Sequence, residues 1–151
     1  REGEPRAKLW LVEGRLHHAS FGALTGEHAL YELLIRPFPG TFAFVHRGDP
    51  PKDGALVPAR DLTGLVFEGV RRHDEWKRAA ALVKDDARLT PTGNPRTAIS
   101  TDQPAERVDA VWALAASGAP CRDCEAAFAV DSFCVRTLLA SWVETDALRL
   151  A

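Results

Sequence analysis

The chain contains no methionine, only three cysteines and one tyrosine, and no long apolar run. A membrane-spanning helix needs roughly 18 or more apolar residues, and the charged segment Arg1–Lys8 is unlike a secretory signal peptide. An odd number of cysteines without such a signal argues against a disulfide framework and favours a reducing compartment. We therefore expect a cytoplasmic protein. Because methionine is missing even at position 1, we also expect that other residues precede Arg1 in a longer protein.

Charge of one sign is also scarce, since the formal net charge of the 151 residues is −2. A chain this close to neutrality has no overall field that would attract nucleic acid or an anionic membrane. The hydrophobic fraction of 46% is ordinary for a globular protein. The length leaves room for one domain or for two small ones.

The first third of the chain predicts a hairpin followed by a helix. Strands are predicted at Leu9–Val12 and Arg15–Ser20, with Glu13-Gly14 as a two-residue turn in which glycine tolerates positive φ. Thr25 is a plausible N-cap for the helix, and Pro37 stops it. The apolar stripe of this helix is formed by Ala29, Leu30, Leu33 and Leu34.

A second strand and helix pair is predicted after Gly40. Phe42 and Phe44 alternate with small residues in Thr41–Val45, which predicts a strand with its aromatic side inward. The segment 48–58 is rich in proline and glycine and is predicted to be a loop. A helix is predicted from about Asp61, its N-cap, to Leu82, with an apolar stripe of Leu62, Leu65, Val66 and Val70.

The last third predicts a helical unit after a polar segment without periodicity. A helix begins at Pro104 and is closed by Gly118 at the C′ position, and a short helix runs from about Cys121 to Phe128. Asp131 caps a third helix, and Leu148–Leu150 alternates as a strand would. The stripes of the first and third helices are Val108, Val111, Trp112 and Ala115, and Val135, Leu138, Leu139 and Trp142. This order is that of a helix-turn-helix with a wing-like strand.

The expected fold is therefore α+β, with a small antiparallel sheet and two helices followed by a winged-helix-like helical unit. The expected domains are residues 1–84 and 104–151, with a linker at 85–103. We expect Trp112 and Trp142 to share the second core with Phe128, Leu138 and Leu139.

The first half resembles a known family in three runs: Leu9-Trp-Leu-Val-Glu-Gly-Arg-Leu-His-His-Ala-Ser, Thr25-Gly-Glu-His-Ala-Leu-Tyr-Glu-Leu-Leu and Pro39-Gly-Thr-Phe-Ala-Phe. Their order and spacing are similar to those of the PATAN family, a bacterial domain often attached to response-regulator receivers. Glu68-Gly-Val-Arg-Arg-His-Asp-Glu-Trp resembles the second helix of that family. The resemblance covers about residues 9–83. It implies an interaction or signalling module, with a protein partner such as a receiver or a component of cell polarity or motility. The family begins with a further helix and strand, which this chain lacks.

Candidate chemical groups are interpreted as structural. Cys121-x-x-Cys124 would need two more ligands for a structural zinc site, whereas the chain adds only Cys134 and has no histidine after His73. The charges of Asp123 and Glu125 would raise the thiol pKa values and so oppose a redox role. His17 and His18 are neighbours on a strand and lie on its opposite faces. His73, Asp74 and Glu75 fit a solvated helix end. Gly14, Gly26 and Gly40 fit turns and the start of a helix. We predict no catalytic, cofactor-binding or metal-ligating residue.

DNA binding by the helical unit is the main alternative to protein binding. A recognition helix needs cations for phosphates, but the helix predicted at Asp131–Thr145 carries one basic residue, Arg136. From Ala105 onward, four arginines face seven acidic residues. An acidic unit repels the DNA backbone unless Arg107, Arg122 and Arg149 converge with Arg136 in space. We therefore expect a non-enzymatic signalling adaptor whose partner is a protein, and neither nucleic acid nor a membrane. DNA binding by the winged-helix-like unit is the alternative.

Overall fold

The computed structural model describes residues 6–46, 48–49 and 51–151, and it has the α+β class expected from the sequence. The chain divides into two compact units, residues 1–73 and 74–151. The division falls inside a helix, whereas the sequence suggested a first domain ending at residue 84.

The sheet of the first unit is built around its second strand. The sheet contains strands β1 (Ala7–Val12), β2 (Arg15–Phe21), β3 (Leu24–Thr25) and β4 (Ala55–Asp61). Strands β1, β3 and β4 each pair antiparallel with β2. The predicted hairpin is confirmed, and Glu13 and Gly14 both have positive φ, of 49° and 74°. Such values are those of a type I′ turn, whose twist matches that of the flanking strands.

Helix α1 (Gly26–Ile35) packs on β2 and forms the first core with it. Thr25 occupies the N-cap position, although its side chain makes no capping hydrogen bond, and the helix ends before Pro37 as predicted. The buried residues of this core include Leu16 and Ala19 from β2, together with Ala29, Leu30 and Ile35.

The strand predicted at Thr41–Val45 is wrong. These residues lie outside every strand of the described chain, and the side chains of Phe42 and Phe44 are 85% and 87% exposed. The segment 48–58, predicted to be a loop, instead contains the start of β4. The edge of β2 opposite β1 is already paired with β3 and β4, and within the described residues Thr41–Val45 does not pair with the outer edge of β1 either.

Helix α2 (Leu62–Leu82) has the predicted bounds and the predicted cap. The Gly64 N–H donates to Asp61 Oδ2 at 2.9 Å. The predicted apolar stripe is only partly correct, because Leu65 is buried while Val66 and Val70 are exposed. The buried side of α2 continues through Gly69 instead, where Leu34 of α1 lies so close that a Cβ would overlap its side chain.

The second unit contains the predicted helices and final strand. They are α3 (Ala105–Ala116), α4 (Cys121–Ala126), α5 (Ser132–Glu144) and β6 (Leu148–Leu150). Gly118 has the positive φ expected at C′, and Asp131 occupies the N-cap position of α5. The predicted core is confirmed, since Trp112 and Trp142 pack edge to face with ring centroids 5.1 Å apart and belong to the same hydrophobic cluster as Phe128, Leu138 and Leu139.

The expected linker at 85–103 is part of this second unit. Its strand β5 (Leu89–Pro91) pairs antiparallel with β6, and Leu89 is fully buried. The Cys121 N–H donates to the Ala87 carbonyl, which fixes the same segment against the start of α4. Three residues cannot show a period, so the pairing was not visible in the sequence pattern.

Candidate functional site

Arg136, the one basic residue of the helix that DNA binding would have to use, is buried in the second unit with no exposed surface. Its Nε donates to Glu125 Oε1 at 2.7 Å, its Nη1 to the Val83 carbonyl at 2.6 Å, and its Nη2 to Asp85 Oδ1 at 2.6 Å. Trp76 completes what we call the Arg136 cluster, because its Nε1 donates to the same Glu125 oxygen at 3.2 Å. The cluster joins the segment after α2 to helices α4 and α5.

The electrostatics of the cluster keep the guanidinium charged. Burial by itself would lower the pKa of Arg136, but the hydrogen bonds and charges of Glu125 and Asp85 outweigh burial, and the pKa is raised. The Glu125 side chain is almost fully buried, whereas that of Asp85 is 56% exposed. The buried pair with Glu125 is therefore the dominant contact, since exposed pairs are screened by solvent.

Helix α5 offers little side-chain surface to a nucleic acid. Every residue from 131 to 143 is buried or half-buried. The arginines whose convergence with Arg136 DNA binding would require lie on other elements: Arg107 bonds to Gln103, Arg122 pairs with Asp123 at 3.5 Å, and Arg149 lies on β6. A helix without a polar face belongs to a core, and the signal for its burial in the sequence is that Phe133–Val143 contains a single charged residue, Arg136.

The three cysteines are all buried free thiols. Burial raises the pKa of Cys121 to about 11. Burial also raises the pKa of Cys124, and the nearby charges of Asp123 and Glu125 add to that effect as predicted. Cys134 Sγ lies 3.6 Å from Asp131 Oδ2 and accepts a hydrogen bond from Gln103 Nε2. Thiols with raised pKa values are poor nucleophiles at neutral pH, and that they are free of metal stays a prediction.

The histidines singled out in the sequence have structural contacts. His73 Nδ1 lies 3.0 Å from the Ile35 carbonyl at the end of α1, and because a carbonyl can only accept, the ring must donate from Nδ1. His18 is buried on β2, opposite Trp10 of β1. His17 is the extra residue at the point where the β1–β2 register shifts.

The first unit exposes large apolar side chains in three places. The first is the aromatic segment, Thr41–Val45, in which the rings of Phe42 and Phe44 meet edge to face at 5.6 Å. The second is the apolar face of α2, formed by Val66, Phe67 and Val70, with Phe67 73% exposed. The third is strand β1, where Leu9 and Leu11 are about 40% exposed. Exposed apolar surface of this kind marks interaction sites.

Comparison with known protein families, with curated proteins and with solved structures found no match for this chain. Within residues 6–46, 48–49 and 51–151, no helix has both the length and the apolar character needed to cross a membrane.

Proposed function

We propose that this protein is a non-catalytic regulatory adaptor that binds another protein through the exposed apolar side chains of its first unit. The observation that carries the proposal is the exposure of Phe42, Phe44 and Phe67 to solvent. Phenylalanine is usually buried, and aromatic residues are enriched where proteins meet.

The resemblance of residues 9–83 to the PATAN family supports the same proposal, because membership of that family would imply an interaction or signalling module. A response-regulator receiver, or a component of cell polarity or motility, is the kind of partner that the resemblance suggests. The apolar face of α2 lies in the part of the chain that carries this resemblance.

The alternative of DNA binding is weakened by the Arg136 cluster. The cation on which a recognition helix would rely is already bonded to Glu125 and Asp85. A phosphate would have to replace these carboxylates, and moving the guanidinium out would leave Glu125 buried without its strongest partner.

Quantitative affinity capture from cells of the native host tests the proposal. The bait is the tagged chain, compared with Phe67→Ser, with Phe42→Ser/Phe44→Ser, and with Thr63→Ala as a control on an exposed polar position of α2. Burying a phenylalanine contributes roughly 1.5–3 kcal/mol, so a serine at a contact position should weaken binding by about 10- to 100-fold.

We expect at least one protein to be retained by the wild-type chain and by Thr63→Ala, and to be lost from one of the serine variants. If the proteins retained by all four baits are the same, the first unit does not bind a partner through these side chains, and the proposal is wrong.

A further inference from the structure

Strand β1 leaves part of the inner face of the sheet uncovered. The register of the hairpin places Leu9 opposite Ala19 and Leu11 opposite Leu16, and opposite residues share a face. Ala19 and Leu16 are fully buried under α1, but Leu9 and Leu11 are about 40% exposed. The apolar face therefore continues beyond the area that α1 covers.

The outer edge of β1 is also open. β1 pairs with β2, and no other strand of the described residues lies beside it. Of the devices that usually protect an edge, β1 has one charge, Lys8 near its start, and no proline, while its last four residues, Leu9 to Val12, are all apolar. A strand of this kind is a template for pairing with another extended segment.

The aromatic segment is the matching feature. Thr41–Val45 has the alternation of a strand but lies outside every strand of the described chain. The rings of Phe42 and Phe44 lie on one side of it, in contact with each other, and both are more than 80% exposed. The aromatic segment is therefore a strand-forming segment that pairs with no strand of the described residues, and the outer edge of β1 is a strand edge with no partner among them.

We propose that two copies of this chain associate reciprocally, with the aromatic segment of each copy adding as a strand to the outer edge of β1 of the other. Phe42 and Phe44 then lie beside Leu9 and Leu11 and extend the inner apolar face of the partner sheet. The two junctions are equivalent by two-fold symmetry, so the aromatic segment and the β1 edge of each copy are both paired in the dimer.

The area available favours a second copy over a short peptide as the occupant. A phenylalanine side chain offers roughly 200 Å². Scaled by exposure, one junction between the aromatic segment of one copy and the β1 residues of the other buries about 600 Å² in total, which is half of the roughly 1,200 Å² at the lower limit of the standard range. Two reciprocal junctions together bury about 1,200 Å², which reaches the lower limit of the standard range, whereas a peptide bound to the β1 edge alone would bury far less.

This inference shares Phe42 and Phe44 with the adaptor proposal, and Phe67 is the residue that separates the two. Self-association uses the aromatic segment and β1, whereas the apolar face of α2 remains open in the dimer. The dimer can therefore be tested without knowing any other partner, and its failure would leave capture through Phe67 unaffected.

Sedimentation velocity of the full chain, from about 1 to 100 µM, tests the dimer. The variants are Phe42→Ser/Phe44→Ser, which removes the aromatic side chains, and Leu11→Lys, which places a charge on the edge strand. Phe67→Ser is the matched control, because it removes an equally exposed phenylalanine from the same unit. Far-UV circular dichroism confirms that each variant folds.

We expect the wild-type chain and Phe67→Ser to dimerise with dissociation constants within about twofold of each other, and both other variants to bind at least about tenfold more weakly. A mixture of Phe42→Ser/Phe44→Ser with Leu11→Lys should associate more than either variant alone, because one junction is intact. Hydrogen exchange at residues 41–45 of the wild-type chain should slow as concentration rises.

Three results would overturn the inference. One is a wild-type chain that stays monomeric at every concentration. Another is a dimer that both variants leave intact. The third is protection of residues 41–45 that does not depend on concentration, which would show that the segment docks on the edge of its own chain.

Discussion

Replacing Arg136 by methionine removes the guanidinium from the Arg136 cluster and keeps an unbranched apolar stem that ends at about the position of the arginine Nε. The carboxylate of Glu125, whose side chain is almost fully buried, then loses its 2.7 Å ion pair and keeps the weaker hydrogen bond from Trp76. Removing one partner of a buried pair costs about 3–5 kcal/mol, because the other charge remains desolvated. We therefore expect the free energy of unfolding of the second unit to fall by that amount.

The measurement is denaturant unfolding followed by tryptophan fluorescence, since three of the four tryptophans lie in the second unit: Trp76, Trp112 and Trp142. For a unit of this size, a loss of about 3 kcal/mol corresponds to a fall in melting temperature of more than about 10 °C. Asp85→Asn is the control, and because Asp85 is 56% exposed it should cost no more than about 1 kcal/mol.

The double variant Arg136→Met/Glu125→Leu separates pairing from packing. Replacing both charges by apolar side chains should recover most of the lost stability, because buried ion pairs are close to neutral against hydrophobic replacements. A loss of less than about 1 kcal/mol in Arg136→Met, or a double variant less stable than the single one, would show that the unpaired Glu125 carboxylate is not the source of the destabilisation.

Three further predictions concern other groups. Burial raises the pKa of Cys121 to about 11 from 9.0, so the native thiols should react with a disulfide reagent at neutral pH at least about tenfold more slowly than in denaturant. For the same reason, the stability of the second unit should fall as pH rises from 9.0 to about 11. Elemental analysis should find no zinc, and one zinc per chain would contradict the prediction that the thiols are free of metal. Hydrogen bonds from Arg71 and Arg72 lower the pKa of Glu68 from 4.5 to about 2, so its contribution to stability is present above pH 4.5 and is lost as pH falls to about 2. The melting temperatures of the wild type and of Glu68→Gln should therefore converge over that pH range. A difference in melting temperature that stays constant with pH would argue against the pairing. Gly69→Ala should change the stability of the first unit by less than about 1 kcal/mol, because the half-buried Leu34 side chain that its Cβ would overlap can rotate away and alanine favours the helix; a loss of more than about 2 kcal/mol would show that Leu34 is held in place.

The second unit was predictable in most of its detail because its elements are marked by local signals. The apolar residues of α3 and α5 recur at helical spacing, and Gly118 and Asp131 stand at helix ends. Such signals depend only on neighbours in the chain. They give the bounds of helices without any knowledge of what packs on them.

The errors lie where structure depends on distant residues. The alternation in Thr41–Val45 predicts a strand, but a strand also needs a distant partner, and within the described residues this segment pairs with neither β1 nor β2. Strand β5 is too short to show a period and is defined by its pairing with β6. The burial of Arg136 was not predicted, because its partners, Glu125 and Asp85, lie 11 and 51 residues away in the sequence.

Fluorescence anisotropy with a mixed-sequence DNA duplex tests the central claim that this protein binds protein and not DNA. Low salt, about 50 mM, is the most permissive condition, because non-specific binding depends on released counterions and is strongest there. With Arg136 buried and α5 packed in the core, we predict no binding below about 100 µM, a value at the weak end of non-specific DNA binding. Micromolar binding that weakens steeply as salt is added would contradict the adaptor account and support a DNA-binding function.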